Sequence, residues 1–374
     1  GTKMIEAVRI HEPNNYFYFF LTSVFSKNTT CCHGSFLYVS TCLSGKRAAS
    51  FLTWALGFPV RKLLERYNYW DHPNHRSSHA TSVLRGGGVA IVITQLIAIC
   101  FLVCPAHPSF GWVWIAGILA LTTIGLFDDK REAAISLRLG IQIISSLSVL
   151  LVLKGGDWTV IELTVGLALM ISFVNFVNFM DGINGLVVMQ MLLIPMGLVL
   201  LIGSGSVLSE SKLLMIMVAL VSAGAAAGFL PHNFPSPKMF LGDAGSVTIG
   251  FSCAVLVLWA FSTASSVVLE TTLLILPCYF YFDGGVTLLR RLFSGEKWWL
   301  PHRGHFYQKL VRSGISHERT TMLIVGLQLI ATLLAWGILR YQAAWWIALV
   351  GVVVIWGLGA LFAELFFRRS LSVE

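Results

Sequence analysis

The sequence predicts an all-α polytopic membrane protein with about ten or eleven transmembrane helices and its site-bearing loops on the cytosolic side, on three observations. Of 374 residues, 56% are hydrophobic and only 12% charged, far from the balance of a water-soluble domain. Apolar runs long enough to cross roughly 30 Å of hydrocarbon follow one another along the chain. Basic residues gather on alternate connections, together with nearly every unusual polar residue.

Taken in order, the apolar runs are 87–104, 111–127, 137–153, 158–180, 186–203, 213–230, 245–262, 266–282, 321–339 and 343–367. Most end at a charge or a proline: Pro105, Asp128, Lys154, Asp181, Asp283, Arg340 and Arg368 are such stops. A further span upstream is required if 61–86 is cytosolic. Its one candidate, roughly 35–60, is interrupted by Gly45-Lys46-Arg47, and the run at 16–25 is shorter still. The first fifty residues are mixed, weakly periodic and open with Gly1 rather than Met, which reads as a displaced start. Residues 1–50 are therefore an atypical segment given no functional weight, and 51–374 a single integral membrane domain. No inverted repeat and no low-complexity tract interrupts that domain.

The net charge of +8 raises the question of nucleic acid. Its distribution answers no: eighteen Lys and Arg fall on the side that holds 61–86, against Lys154, Lys212 and Arg340 on the other. The excess is topological. Seven cysteines, at 31, 32, 42, 100, 104, 253 and 278, lack the spacing of a disulfide framework or a metal site.

The chemistry lies in polar clusters at the cytosolic ends of the spans. Asp128-Asp129 closes one run and is followed by Lys130, Arg131 and Arg138; adjacent residues on a helix point about 100° apart, so the two carboxylates face different surroundings. Asn175, Asn178 and Asp181 form a polar stripe ending in Gly182 and Gly185, glycines that permit a sharp turn and close approach of a ligand. Asp243, within Phe240-Leu-Gly-Asp-Ala-Gly-Ser246, opens the next span, where a helix N-terminus favours anions and Asp243 a cation; Ser246 is placed to cap that helix. His302-Arg303-Gly304-His305 suits phosphate oxygens better than zinc. Asp71 to His79 precedes Arg85-Gly86-Gly87-Gly88, whose backbone N–H groups can approach a phosphate, although no Walker loop is present. Asp283 closes a further apolar run. Arg290-Arg291 and Trp298-Trp299 suit a short helix at the headgroup level. Each cluster has a plain structural explanation when read alone: a charged helix boundary, interhelical hydrogen bonds, a cap, a solvated loop. Their shared side of the membrane does not. Acidic and basic groups converging on one face suit phosphoryl transfer, in which a divalent cation and Arg, Lys or His hold two anions together.

Asp128-Asp129, Asn175-x-x-Asn178-x-x-Asp181-Gly, Leu241-Gly-Asp243-x-Gly-Ser246 and His302-Arg-Gly-His305 together resemble the polyprenyl-phosphate N-acetylhexosamine-1-phosphate transferases, of glycosyltransferase family 4 type. The resemblance covers about 51–374. The segment Asp71-x-Pro-Asn74-x-Arg76-Ser-Ser-His79 and the ending His302-Arg-Gly-His305-x-Tyr307-Gln308 resemble the branch that initiates O-antigen or other surface polysaccharides. What the resemblance implies is transfer of a sugar-1-phosphate from a UDP-N-acetyl sugar to undecaprenyl phosphate, with release of UMP. It implies Mg²⁺, for which Mn²⁺ can substitute, held by Asp243 with Asp128 and Asp129, and Asp128 as the group that deprotonates or orients the lipid phosphate. Asn178 and Asp181 would line the nucleotide-sugar pocket, His302, Arg303 and His305 would bind the diphosphate, and Arg76, His79 and Asn184 complete the substrate-binding set. The implied setting is the bacterial inner membrane, multi-pass, with a cytosolic active site, a bilayer and a second copy of the chain as partners, and no nucleic acid. Three departures stand out: Asn184 where many members carry Asp, Leu84 where proline is common, and the interrupted first span. A secondary transporter and a CDP-alcohol phosphotransferase are the rival readings. Carboxylates at span ends rather than at the midplane disfavour the first, and Ile-Asn-Gly after Asp181-Gly182 disfavours the second.

Overall fold

The computed structural model describes residues 33–71, 82–154, 157–204, 209–297, 300 and 302–372. The chain is helical almost throughout. α1 (His33–Arg66) leads to a two-residue ribbon, β1 (Trp70–Asp71) and β2 (Val83–Leu84). Then follow α2 (Val89–Ala106), which passes through a π-helical segment at Ile99–Val103, α3 (Pro108–Lys130), α4 (Ile135–Leu153) and α5 (Val160–Phe179). After these come α6 (Leu186–Gly203), α7 (Glu210–Asn233) and α8 (Asp243–Ser262). α9 (Val267–Ile275), α10 (Cys278–Phe293), α11 (Phe306–Arg312), α12 (His317–Arg340) and α13 (Trp345–Leu371) complete the chain. Residues Cys42–Glu374 form one unit; Gly1–Thr41 form another, of which only the first turns of α1 are described.

Nine of these helices are long and apolar enough to cross a membrane, and they reproduce nine of the predicted runs within a few residues. The all-α polytopic architecture holds. The predicted run 266–282 needs correcting: it is broken into α9 and α10, bent by 66° where Pro277 lacks the N–H that a continuous helix would use, so the count among the described residues is nine, or ten if the bent pair is one span. α1 is not one of the nine, because Lys46 and Arg47 interrupt its apolar face. Arg290 and Arg291 lie in the last turn of α10 rather than on a separate helix; Trp298 and Trp299 fall outside the described residues.

α8 is the central helix: 89% of its span is buried, against 22% for α13. Its small residues explain why, since they let neighbouring backbones come close. A Cβ on Gly88 would stand 2.3 Å from the Cα of Gly245, and one on Gly125 would stand 2.5 Å from the Cα of Ala244. α2 and α3 therefore cross α8 at its N-terminal turn, where the charged residues are. Four helix starts away from that turn are capped locally, by Thr159 and Glu162 on α5, Ser209 on α7, Ser266 on α9 and Ser316 on α12.

Candidate active site

The N-terminus of α8 has no cap of its own. Gly242 occupies the cap position with φ 70°, and its missing side chain is replaced from another helix. Asp129, in the last turn of α3, accepts the backbone N–H of Asp243 at 2.8 Å and of Ala244 at 3.1 Å. Its carboxylate is fully buried and also receives Arg85 Nε at 2.6 Å. Arg85 reaches on to Asp243 Oδ1 at 2.5 Å.

Asp128 faces a different way, as adjacent helical positions require. It accepts the N–H of Ala133 at 2.7 Å and pairs with Arg138 at 2.6 Å, and Arg138 stands 3.7 Å from Asp243 Oδ2. The carboxylates of Asp128 and Asp243 are within hydrogen-bonding reach of each other. Three acids thus alternate with two guanidiniums, leaving one excess negative charge. Arg85 and Arg138 are each about one-third exposed, so the ring opens to solvent on its basic side.

Two carboxylates in contact need a proton or a cation between them. That is the test of the expected Mg²⁺, and Asp128 with Asp243 fits it: both offer hard oxygen donors at the open side. Among the described residues no group of three or more His, Cys, Asp or Glu could hold a metal by itself. Mg²⁺ does not require one, since it is usually held by one or two carboxylates, substrate phosphates and water. Asp129 is taken up by Arg85 and the α8 backbone, which makes it a support for the other two.

Arg85 arrives by a route the sequence did not advertise. It follows β2, which pairs with β1 and bridges to Met239; Phe240 N donates to Leu84 O at 2.8 Å. Gly87 N and Gly88 N donate to Phe240 O and Leu241 O. The triglycine N–H groups expected to approach a phosphate are therefore partly spent on the segment leading to Asp243. These glycines serve close packing, and Gly86 also the positive φ of 99°. Burial pushes the Arg85 guanidinium down, but the Asp243 and Asp129 carboxylates outweigh it and hold its pKa above the ordinary range.

Asp181 lies in the turn between α5 and α6, within electrostatic reach of Arg85, Asp243 and Asp129. Among the described residues no hydrogen bond or ion pair holds its carboxylate. Desolvation pushes its pKa well above the usual carboxylate range, Asp243 and Asp129 push the same way, and Arg85 opposes them. Asn178 ties α5 to α8, accepting from Ser246 Oγ at 2.7 Å. Ser246, expected as the cap of α8, bonds instead to Asn178 and to Gly242 O, because Asp129 already fills the capping role. Asn184 donates to Pro235 O at 3.0 Å and faces His317 Nδ1 at 3.4 Å, so it knots the turn to its neighbours; its amide donor is one that Asp would lack. Gly182 admits Tyr307, whose Oη would lie 2.3 Å from a Cβ there, rather than leaving room for a ligand.

Tyr307 joins this turn to the His302–His305 loop. Its hydroxyl donates to Phe179 O at 3.0 Å. Beneath the loop lies Asp283 on α10, an acid noted as the end of an apolar run but not chosen as a site residue. It accepts the N–H of Phe306 at 3.0 Å and of Tyr307 at 3.4 Å, capping α11, and faces His305 Nδ1 at 3.1 Å. His305 is buried, with His302 stacked on it at 4.8 Å. Burial, then His305, Arg291 and Arg290, push the His302 pKa down to about 4, so its ring is neutral near pH 7 and contributes hydrogen bonds rather than charge. Positive charge in this loop comes from Arg303. Arg85 and Arg138 were named only as neighbours of other motifs; the available signal was an arginine beside the boundary of an apolar span. Arg76 and His79 fall outside the described residues.

Known proteins resemble the stretch that holds these acids. Residues 111–261, from α3 through α8, match Glycosyl transferase family 4, and that stretch holds Asp128, Asp129, Asp181 and Asp243. The decaprenyl-phosphate N-acetylglucosaminephosphotransferase of Mycobacterium leprae is 28% identical over 324 residues, covering 75% of this chain and 79% of its own. A probable undecaprenyl-phosphate N-acetylglucosaminyl 1-phosphate transferase of Bacillus subtilis is 24% identical, covering 79% and 84%. The undecaprenyl-phosphate alpha-N-acetylglucosaminyl 1-phosphate transferase of Escherichia coli (strain K12) is 24% identical, covering 74% and 78%. The stretch that matches glycosyl transferase family 4 is thus the one whose acidic residues gather at one end of its helices, and the chain is similar to that family over those residues.

Proposed function

We propose that the protein transfers an N-acetylated sugar-1-phosphate from a UDP-sugar to a polyprenyl phosphate such as undecaprenyl phosphate, releasing UMP. The observation that carries this reading is the ring of Asp128, Asp129 and Asp243 alternating with Arg85 and Arg138 at the start of α8. Two phosphate-bearing substrates repel each other, and such a ring supplies both the cationic donors that bind phosphate oxygens and the carboxylates that take a divalent ion. The names of the relatives in Mycobacterium leprae and Escherichia coli support the same chemistry.

Asp128 and Asp243 would hold Mg²⁺, which when bound neutralises diphosphate charge and polarises the bond to be broken. The remaining work belongs to the side chains. Asp129 fixes Arg85 and the α8 N-terminus. Arg85 and Arg138 grip phosphate oxygens on the open side of the ring. Asp128 orients the lipid phosphate and accepts its proton when that phosphate is monoprotonated. A lipid phosphate oxygen then attacks the sugar-bearing phosphorus; a new P–O–P linkage forms, the bond between that phosphorus and the oxygen bridging it to the nucleotide phosphate breaks, and UMP leaves with that oxygen and the electron pair. Asp181 and Asn178 line the donor side, and Arg303 with neutral His302 binds diphosphate oxygens.

The positive-inside distribution supports a cytosolic site in a bacterial inner membrane, and the His302-Arg-Gly-His305 ending supports the branch that starts O-antigen or related polysaccharides. The test is formation of a chloroform-soluble, diphosphate-linked sugar from labelled UDP-N-acetyl sugars and undecaprenyl phosphate. Product should require Mg²⁺, disappear with EDTA and fail with Asp243→Ala. UDP-sugar accumulating inside vesicles without lipid product would instead indicate transport.

A further inference from the structure

The last span contributes to the site although it lies beyond the family match at 111–261. Two consecutive carbonyls of the His302–His305 loop are held by arginines, and both arginines rest on one end of α13. Arg290, on α10, donates to Gly304 O at 2.7 Å and stands 3.9 Å from Glu364 Oε2. Arg312, on α11, reaches Arg303 O at 3.5 Å and lies over the ring of Phe367 at 4.7 Å. Lys309, only 6% exposed, bonds directly to Glu364, and Arg368 completes the set at 3.0 Å.

Glu364 thus sits among three cations, of which Lys309 is buried and cannot stay there charged without a counter-ion. Carboxylate and ring lie one turn apart on α13, at Glu364 and Phe367, and so grip the loop at two successive peptide units. We infer that this end of α13 is a bracket that presents the His302-Arg303-Gly304 loop to the nucleotide diphosphate, with Glu364 as its positioning residue. The inference rests on the transferase reading above, and it adds a residue that touches neither substrate.

A bracket for the donor acts on binding of one substrate. Removing an interaction that holds ground state and transition state alike raises KM and spares kcat. Glu364→Gln, Glu364→Asp and, as a control, the exposed Arg369→Gln on the same helix would be purified and assayed for UMP release from UDP-N-acetylglucosamine with undecaprenyl phosphate. Glu364→Gln should raise the KM for the UDP-sugar roughly tenfold while kcat and the lipid-phosphate KM stay within about threefold; Glu364→Asp should recover most of the loss, and Arg369→Gln should match wild type. A folded Glu364→Gln enzyme whose UDP-sugar KM stays within about twofold of wild type, or which loses kcat with that KM unchanged, overturns the bracket. Should Glu364→Gln not survive extraction, Glu364→Asp decides: a KM raised about threefold supports the role and an unchanged KM removes it. Wild-type protein that releases no UMP from any UDP-sugar defeats the transferase reading itself, an outcome separate from either result with the variants.

Discussion

Asp128 and Asp129 are neighbours in sequence with different work, and substitution should separate them. Asp129→Ala strips two backbone N–H groups of their acceptor and takes from Arg85 a fully buried carboxylate partner, so it should cost about 3–5 kcal/mol, the range for breaking a buried charge pair. Asp128→Ala gives up one N–H acceptor and an ion pair that is open to solvent, so the protein should remain folded while product formation is lost. Thermal unfolding in detergent beside a product assay distinguishes them; equal destabilisation would contradict the division of labour. Asp181 allows a second test. Its pKa is raised in the folded protein, so the folded state binds more protons than the unfolded one above the ordinary carboxylate pKa, and stability falls as pH rises through that window. Asp181→Asn should therefore melt a few degrees above wild type near pH 7 in the absence of divalent cations. The difference should shrink as pH falls toward about 4 and vanish near about 3, where Asp181 is protonated in the folded and the unfolded state. An Asn variant no more stable at pH 7 than at pH 4 would contradict the desolvated carboxylate.

At the scale of elements, two helices that build the site take acceptors for their first N–H groups from another helix. α8 borrows Asp129 from α3, and α11 borrows Asp283 from α10. That explains which parts of the fold and site were legible. Nine spans could be read because an apolar run and its charged stop are local properties, and Asp128, Asp181 and Asp243 could be read because an acid at the end of such a run is costly. The bond between Asp129 and the α8 backbone spans 114 positions, and no spacing rule reaches that far. For the same reason Arg85 and Arg138 read as flanking charges, and the triglycine read as a phosphate cradle. Its real constraint is contact with α8. Gly88→Ala would bring a methyl within 2.3 Å of the Gly245 Cα, a backbone atom that cannot rotate away, so α2 and α8 must separate. Overpacking of that kind costs about 1–3 kcal/mol, and here it would also shift Asp243 against Arg85. Lowered thermal stability together with reduced product is expected; Gly140→Ala, with open space around its Cβ, is the comparison that should leave both unchanged.

For the whole molecule, the decisive property is that its chemistry lies at one end of a helical bundle. Asp128 closes α3, Asp181 follows α5, Asp243 opens α8 and Asp283 lies on α10 after the bend, so chain ends of alternating direction deliver acids to a single face. Eighteen Lys and Arg accompany them, against three on the other side. Under the proposed function that face is the cytosolic one, which is the side the positive-inside rule expects to be basic. A UDP-sugar carries a diphosphate and cannot cross a bilayer unaided, so orientation becomes measurable as access. Inverted membrane vesicles, which expose the cytosolic face, should form labelled lipid product from external UDP-sugar. Sealed right-side-out vesicles of the same preparation should form almost none until a detergent opens them. Equal rates in both sealed preparations would mean that the acidic face is not confined to the cytosolic side, and the functional assignment of these four acids would have to be abandoned with it.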